Sequence, residues 1–374
     1  MNVMKHGNSK TLVFSVAIVS LLFFVVCVSS LVVWYEPSYD SNLDGAWSPI
    51  WSSDGNHIAF ECMFLNLSDL PNYDEGSYLG LRDICVLDRN SNKLVRLTTD
   101  RSPSSSPSWS FDGMRLAWLK GNDILVIWDI STGDFTSFRS PNPFQHTNGY
   151  LDWSQDDRRV FVQGDGTVFD VENEVFIPLA QPQKDLHVCC FTWSPHGDYL
   201  AYKQLKFEDT YGYHWQVVIM KNDETVIISE LETNLDDPYL QWSPDGSTLA
   251  WQAETGGYRK YLLALSYMQT RKTVFLRIDE GYIGFGGIGW SPSGDQIAIR
   301  LGDELEILNP QPDAIPSSLT IIEPQSISLH GSSFGGLSWS PDGEMIAYES
   351  DWQEGSRIWL LQLDGLTNVP LYDE

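Results

Sequence analysis

The chain is poor in cysteine. It has five in 374 residues, and no two are spaced C-x-x-C. That excludes zinc ribbons, thioredoxin-type chemistry and a fold built on disulfides. Cys62 and Cys85 fall in neighbouring strand patterns and are placed to bridge in an oxidising compartment. Cys189 and Cys190 are adjacent within a strand pattern and read as buried.

Positive charge is also scarce, with 23 Lys and Arg against 50 Asp and Glu, a net charge of −27. Such a surface repels phosphate backbones, so nucleic acid is excluded as a partner. It suits solubility, cationic partners or divalent ions. Low-complexity tracts are missing too. With 42% hydrophobic and 13% aromatic residues, the chain has the means to build a packed core.

Only one long hydrophobic run occurs. From Leu12 to Tyr35 there is no charged residue. A helix of that length spans roughly 36 Å, enough to cross a bilayer core of about 30 Å. Lys5 and Lys10 precede the run, and Glu36, Asp40 and Asp44 follow it. The positive-inside rule places residues 1–11 in the cytoplasm and the bulk of the chain outside it. The competing reading is a cleaved signal peptide with Val28-Ser29-Ser30 at the cleavage site. The run is longer than a usual signal core and continues past Ser30, which favours a transmembrane signal anchor over 12–35. A lipidated Cys27 is opposed by the bulky Val26 before it. A linker over 36–45 then leads into the remainder.

What the chain has in abundance is one phrase. "WSPDGEMIAY" starts at Trp339, and variants start at Trp51, Trp109, Trp153, Trp193, Trp242 and Trp290. Successive tryptophans are 58, 44, 40, 49, 48 and 49 residues apart. Periods of 40–50 residues point to β-propeller blades. Ser before Pro-Asp-Gly matches a type I turn whose last residue takes the left-handed conformation. Asp157 stands where the other six copies have Gly, and Asp tolerates that backbone state better than most residues. Beyond the turn, an aliphatic residue, then Ala, then a large apolar residue read as a middle strand buried on both faces. The small Ala lets a neighbouring blade approach. A third strand reads in "DICVLD" (83–88), "WQVVIM" (215–220) and "ELEIL" (304–308), and a fourth in "KLVRLTT" (93–99). Four strands per repeat and seven repeats predict an all-β, seven-bladed β-propeller over 46–374.

These repeats resemble those of the TolB-like (WD40-like) β-propellers, whose signature is W-S-P-D-G-x-x-I-A-[FYW]. The resemblance covers roughly Ala46 to Glu374. It implies the propeller fold and leaves function to the sites grafted on it. TolB itself carries an α/β domain ahead of six blades, so a role in the Tol–Pal envelope system does not carry over. Prolyl oligopeptidase relatives add an α/β-hydrolase domain that this chain leaves no room for. Oligogalacturonate lyases are seven-bladed relatives with a metal held by histidines in the central channel.

Three motifs imitate chemistry. "GFGGIG" (284–289) matches a dinucleotide fingerprint, but a turn follows it at Trp290 in place of a helix. "GSSFG" (331–335) matches a nucleophile elbow around Ser333 without the strand–turn–helix context. "DRNSNK" (88–93) starts like a calcium loop but lacks its Gly and its closing Glu. All three read as scaffold.

Two site expectations remain. His146, His187 and His330 each precede a repeat tryptophan by six to nine residues, which puts them around one mouth of the channel as candidate ligands of one divalent metal. The long segments between strands two and three open on the face away from the Ser-Pro-Asp-Gly turns. These segments (63–82, 203–213, 253–260 and 350–356) are expected to be loops carrying Tyr73, Tyr78, Tyr211, Tyr213, His214, Trp215, Tyr258 and Trp352. Aromatics beside carboxylates there suit a protein, peptide or carbohydrate. The leading expectation is an extracytoplasmic interaction or ligand-binding module without cofactor. The alternative is a metal-dependent polysaccharide lyase-like enzyme, for which the sequence offers metal ligands but no convincing base.

Overall fold

The computed structural model describes residues 43–64, 82–100, 102–144, 151–162, 167–178, 188–208, 212–221, 224–228, 240–255, 260–277, 285–301, 304–310, 325–328, 336–352 and 355–371. The apolar run over 12–35 lies outside them. Among the described residues no helix is long and apolar enough to cross a membrane.

Among the described residues, twenty-eight strands, β1 to β28 in chain order, form seven four-stranded antiparallel sheets. Each sheet uses four consecutive strands, so every blade is one contiguous stretch of sequence, and among the described residues no strand is exchanged between blades. This is the expected seven-bladed β-propeller. The third strands fall where the sequence puts them: β3 spans Asp83–Asp88 and β23 spans Glu304–Leu308. The fourth strand of the first blade, β4 (Lys93–Arg96), is shorter than its pattern.

Every innermost strand ends on a repeat tryptophan: β1 (Leu43–Trp51), β5 (Ser104–Trp109), β9 (Leu151–Trp153), β13 (Val188–Trp193), β17 (Leu240–Trp242), β21 (Phe285–Trp290) and β25 (Leu337–Trp339). The serine that follows explains its presence in all seven copies. Its Oγ accepts a hydrogen bond from the backbone N–H five residues on, at 2.9–3.0 Å, in every turn. Its carbonyl accepts the N–H that closes the turn, at 2.8–3.0 Å. The closing residue has φ between 56° and 75° in all seven copies, including Asp157. Six of these positions are Gly because a side chain is disfavoured there.

Asp157 has a second reason to differ from Gly. Its carboxylate accepts the N–H groups of Phe111 (2.6 Å) and Asp112 (3.0 Å) in the turn of the preceding blade. The substitution gives up backbone ease for a bond between blades.

The core is not one central mass but seven clusters, one at each blade–blade interface. The expected Ala residues do face the next blade: Ala59, Ala117, Ala201, Ala250, Ala298 and Ala347 are fully buried, each within such a cluster. Blade 3 has Phe161 instead, which packs against Phe191 and Trp193 of blade 4 at 6.2 and 6.0 Å between ring centroids.

Tryptophan ties the blades as well as filling them. The indole Nε1 of Trp153, Trp242, Trp290 and Trp339 donates to a carbonyl one residue before the previous blade's tryptophan, at 3.0–3.3 Å. Gly289 supplies one of those carbonyls. A Cβ there would come within 2.3 Å of Leu337 Cδ1, so the close approach of blade 7 requires glycine.

Candidate functional site

A strand meander sorts its connections onto two ends of the ring. One end carries the hairpins between strands three and four together with the serine turns, and those turns are nearly uniform around the ring. The other carries the connections between strands two and three, which are not.

In blade 6, β22 (Ile297–Leu301) and β23 turn back soon after Ala298. In blade 4, β14 (Leu200–Glu208) and β15 (Gly212–Lys221) stay paired as far as Glu208 and Gly212. At about 3.3 Å per residue, that carries the blade 4 hairpin roughly 13 Å further out. Blade 5 reaches about half as far with β18 (Thr248–Thr255) and β19 (Lys260–Tyr267), paired to Thr255 and Lys260. Blade 7 does so with β26 (Met345–Trp352) and β27 (Gly355–Gln362), paired to Trp352 and Gly355. The expectation of loops over 203–213, 253–260 and 350–356 is therefore corrected. The described residues there, 203–208 and 212–213, 253–255 and 260, and 350–352 and 355–356, are paired β-ribbon continuous with the middle strands.

The structure brings three of the expected binding residues onto one strand. Tyr213, His214 and Trp215 follow one another on β15, paired with Phe207, Lys206 and Leu205. Trp352 closes the blade 7 ribbon opposite Gly355. Tyr73, Tyr78, Tyr211 and Tyr258 lie outside the described residues, as do the metal candidates His146, His187 and His330. Among the described residues no group of three or more His, Cys, Asp or Glu is arranged to hold a metal.

The motif readings are settled except at Ser333, which lies outside the described residues. "GFGGIG" ends in the inner strand β21, and Asp88 caps a plain hairpin by accepting the N–H groups of Asn90 (2.8 Å) and Ser91 (3.2 Å).

Sequence reasoning missed a set of buried charges at the same end. At the position two after the Ala, Glu61, Lys203, Arg300 and Glu349 are all nearly excluded from solvent. The Arg300 guanidinium donates to the backbone carbonyl of Glu349. Glu61 accepts from Arg82 at 2.5 Å and from the N–H of Ser106, in blade 2, at 2.9 Å. Arg82 also lies over the Trp47 ring at 4.5 Å. Beside it, Arg96 lies over Phe64 at 4.7 Å and donates twice to Asp83 (2.6 and 2.9 Å). Burial pushes the Asp83 carboxyl above the ordinary range, outweighing the opposing bonds from Thr98 and Arg96. The described chain of blade 1 breaks off at Phe64 and resumes at Arg82, and each of these residues belongs to one of the two Arg–carboxylate–aromatic units. The signal in the sequence was a charge two residues after the Ala in four of the six copies that have it, as in "IAFE" and "IAYE".

The inner strands also bulge three residues before the tryptophan. Ser48 and Ser106 have φ of 52° and 60°, each just ahead of a proline, and the ladder shifts register there. The bulges aim their N–H groups at the carboxylates of the preceding blade.

No family model matches the sequence, and no curated protein matches it. Among solved structures the chain is similar to hydrazine synthase of Kuenenia stuttgartiensis (TM-score 0.63, 14% identity, 86% of this chain and 97% of that one). It is similar to the β-propeller domain of the Trilobed protease from Pyrococcus furiosus, which has an open velcro topology (TM-score 0.60, 16% identity, 88% and 97%). It is also similar to an oligogalacturonate lyase in complex with manganese (TM-score 0.59, 14% identity, 86% and 90%). At these identities the likeness is one of fold: this chain is a seven-bladed β-propeller.

Proposed function

We propose that the chain is a TolB-like propeller anchored in a membrane by residues 12–35, with its blades outside the cytoplasm. In this reading it binds a protein, peptide or carbohydrate on the end carrying the long ribbons. The observation that carries the reading is the contrast between the two ends. Seven near-identical turns face one way, while ribbons of unequal length carrying Tyr213, His214, Trp215 and Trp352 face the other. A spacer with no ligand has no use for such inequality. The buried disulfide between Cys62 and Cys85 supports an oxidising compartment.

The test is to shorten the blade 4, 5 and 7 ribbons to the blade 6 length and screen the full chain against glycan and peptide arrays. Ligands bound by the parent and lost by a folded shortened variant support the reading. A shortened chain that keeps every ligand overturns it.

A second reading, a metal-dependent lyase-like enzyme, is favoured by the likeness to the manganese-bound lyase. Elemental analysis of untagged chain made without chelator decides it. About one metal per chain, lost on replacing His146, His187 or His330, supports it. A metal-free folded chain sinks it.

A further inference from the structure

Blade 1 is held in the ring by different chemistry from the blades opposite it. Four interfaces carry the indole-to-carbonyl bond described above. At both interfaces of blade 1 the corresponding indoles, Trp51 and Trp109, have a buried Nε1 with no partner among the described residues. Carboxylates cross these interfaces instead. Glu349 of blade 7 accepts the Ser48 N–H at 3.3 Å, and Glu61 of blade 1 accepts the Ser106 N–H at 2.9 Å. The Trp51 N–H reaches Ser338 Oγ, also at 3.3 Å. These two N–H···O bonds across the 7–1 seam are thus long, and the Arg89 guanidinium reaches Met345 Sδ across it at 3.7 Å.

With no exchanged strand, the 7–1 seam rests on apolar packing. Its core comprises Ala46, Ile58 and Phe60 of blade 1 against Ala347, Ile358 and Leu360 of blade 7. The disulfide sits in that same core. Cys62 and Cys85 are fully buried and join β2 (His57–Phe64) to β3, with Cα atoms 5.9 Å apart.

We infer that the Cys62–Cys85 disulfide is a redox latch for the ring: oxidised, it holds the blade 7–1 seam shut, and reduced, it lets blade 1 part from blade 7. A dithiol reductant supplies two electrons and two protons. The S–S bond breaks, two thiols form, and the dithiol is oxidised to its own disulfide. Two thiols need more room than one bond in a core without free space. Backbone ladders fix β2 and β3 within their sheet, so the strain falls on the seam. The same chemistry makes access reciprocal. A reductant reaches these fully buried sulfurs only while the seam is open, so the reduction rate reports seam opening.

The experiment uses the full chain in detergent, with excess dithiothreitol under native conditions. Ser338→Ala removes one seam bond, and Trp290→Phe removes a bond at the distant blade 5–6 interface. The latch predicts reduction several-fold faster in S338A and unchanged in W290F. After reduction, amide exchange is expected to rise about tenfold or more in β1, β26 and β27, with β17 to β22 unaffected. Equal acceleration by both substitutions overturns the latch. So does exchange that rises evenly around the ring or only between β2 and β3, and so does a disulfide that resists dithiothreitol until denaturant is added.

Discussion

The indole Nε1 of Trp339 donates to the carbonyl of Gly289 at 3.0 Å, across the interface between blades 6 and 7. The repeat tryptophan is thereby a fastener as well as core material. Trp51 occupies the same repeat position, yet its Nε1 has no partner among the described residues. The two positions separate packing from hydrogen bonding.

Trp339→Phe removes the bond and strands a buried carbonyl, whereas Trp51→Phe removes ring volume and part of the ring beneath the Arg89 guanidinium, without breaking an indole hydrogen bond among the described residues. The first is expected to cost about 1–2 kcal/mol more than the second. Urea unfolding of the two variants measures the difference, and equal losses would show that the indole bond adds nothing.

Gly289→Ala puts a methyl group against Leu337 and Trp339, with distances of 2.3 and 3.3 Å to their Cδ1 atoms. The expected cost is about 1–3 kcal/mol from overpacking. A second substitution, Leu337→Ala, is expected to recover part of it, so the double variant should melt above the sum of the two single losses.

Asp157→Gly restores the residue found in the other six turns and relieves a φ of 56°. It also deletes the acceptors for Phe111 and Asp112. The bonds are expected to outweigh the relief, giving a net loss of about 1 kcal/mol. A melting temperature at or above the parent's would assign Asp157 to chance drift of the repeat.

The turn aspartates make stability depend on acid. The Ser340 hydroxyl holds the Asp342 carboxyl below the ordinary range, and the Ser154 hydroxyl does the same for Asp156. A carboxyl depressed in the folded state contributes stability above its unfolded pKa, near 3.9, and loses it as pH falls through the folded value. Melting temperature is therefore expected to drop below about pH 4. Asp342→Asn should lower it at neutral pH and converge with the parent in acid. Asp83 runs the other way: its raised pKa means that its contribution is present in acid and fades as pH rises. Asp83→Asn is thus expected to remove a loss of stability that sets in as pH rises above the unfolded value near 3.9.

The scaffold was legible because it repeats. Trp, Ser and Gly recur where the turn needs them, and the serine bonds found at one turn recur at the rest. Even Asp157 could be read as a tolerated left-handed residue, although its carboxylate's reach into blade 2 could not. The ribbons were misread because "KQLKFEDTYGYHW" looks too polar for a blade, and backbone pairing beyond the core leaves no burial pattern to detect. The Glu61–Arg82–Trp47 unit was hidden because its members come from separate strands, and only the register brings them together. For the binding residues, the sequence supplied the aromatics and their order, and the structure added that Tyr213, His214 and Trp215 lie on a paired strand and not in a loop.

That each blade is a single unbroken stretch of chain has a consequence for how the ring is made. Native pairings connect residues near in sequence, so each sheet can form soon after its own segment is synthesised, and contact order stays low. The exception is the meeting of the first blade with the last. Blade 1 emerges first and must wait for six others before anything covers Ala46, Ile58 and Phe60. For that interval the nascent protein carries an open apolar flank. Joining the ends at Leu43 and Leu371 and cutting between two other blades would move the waiting flank elsewhere without altering a single strand pairing.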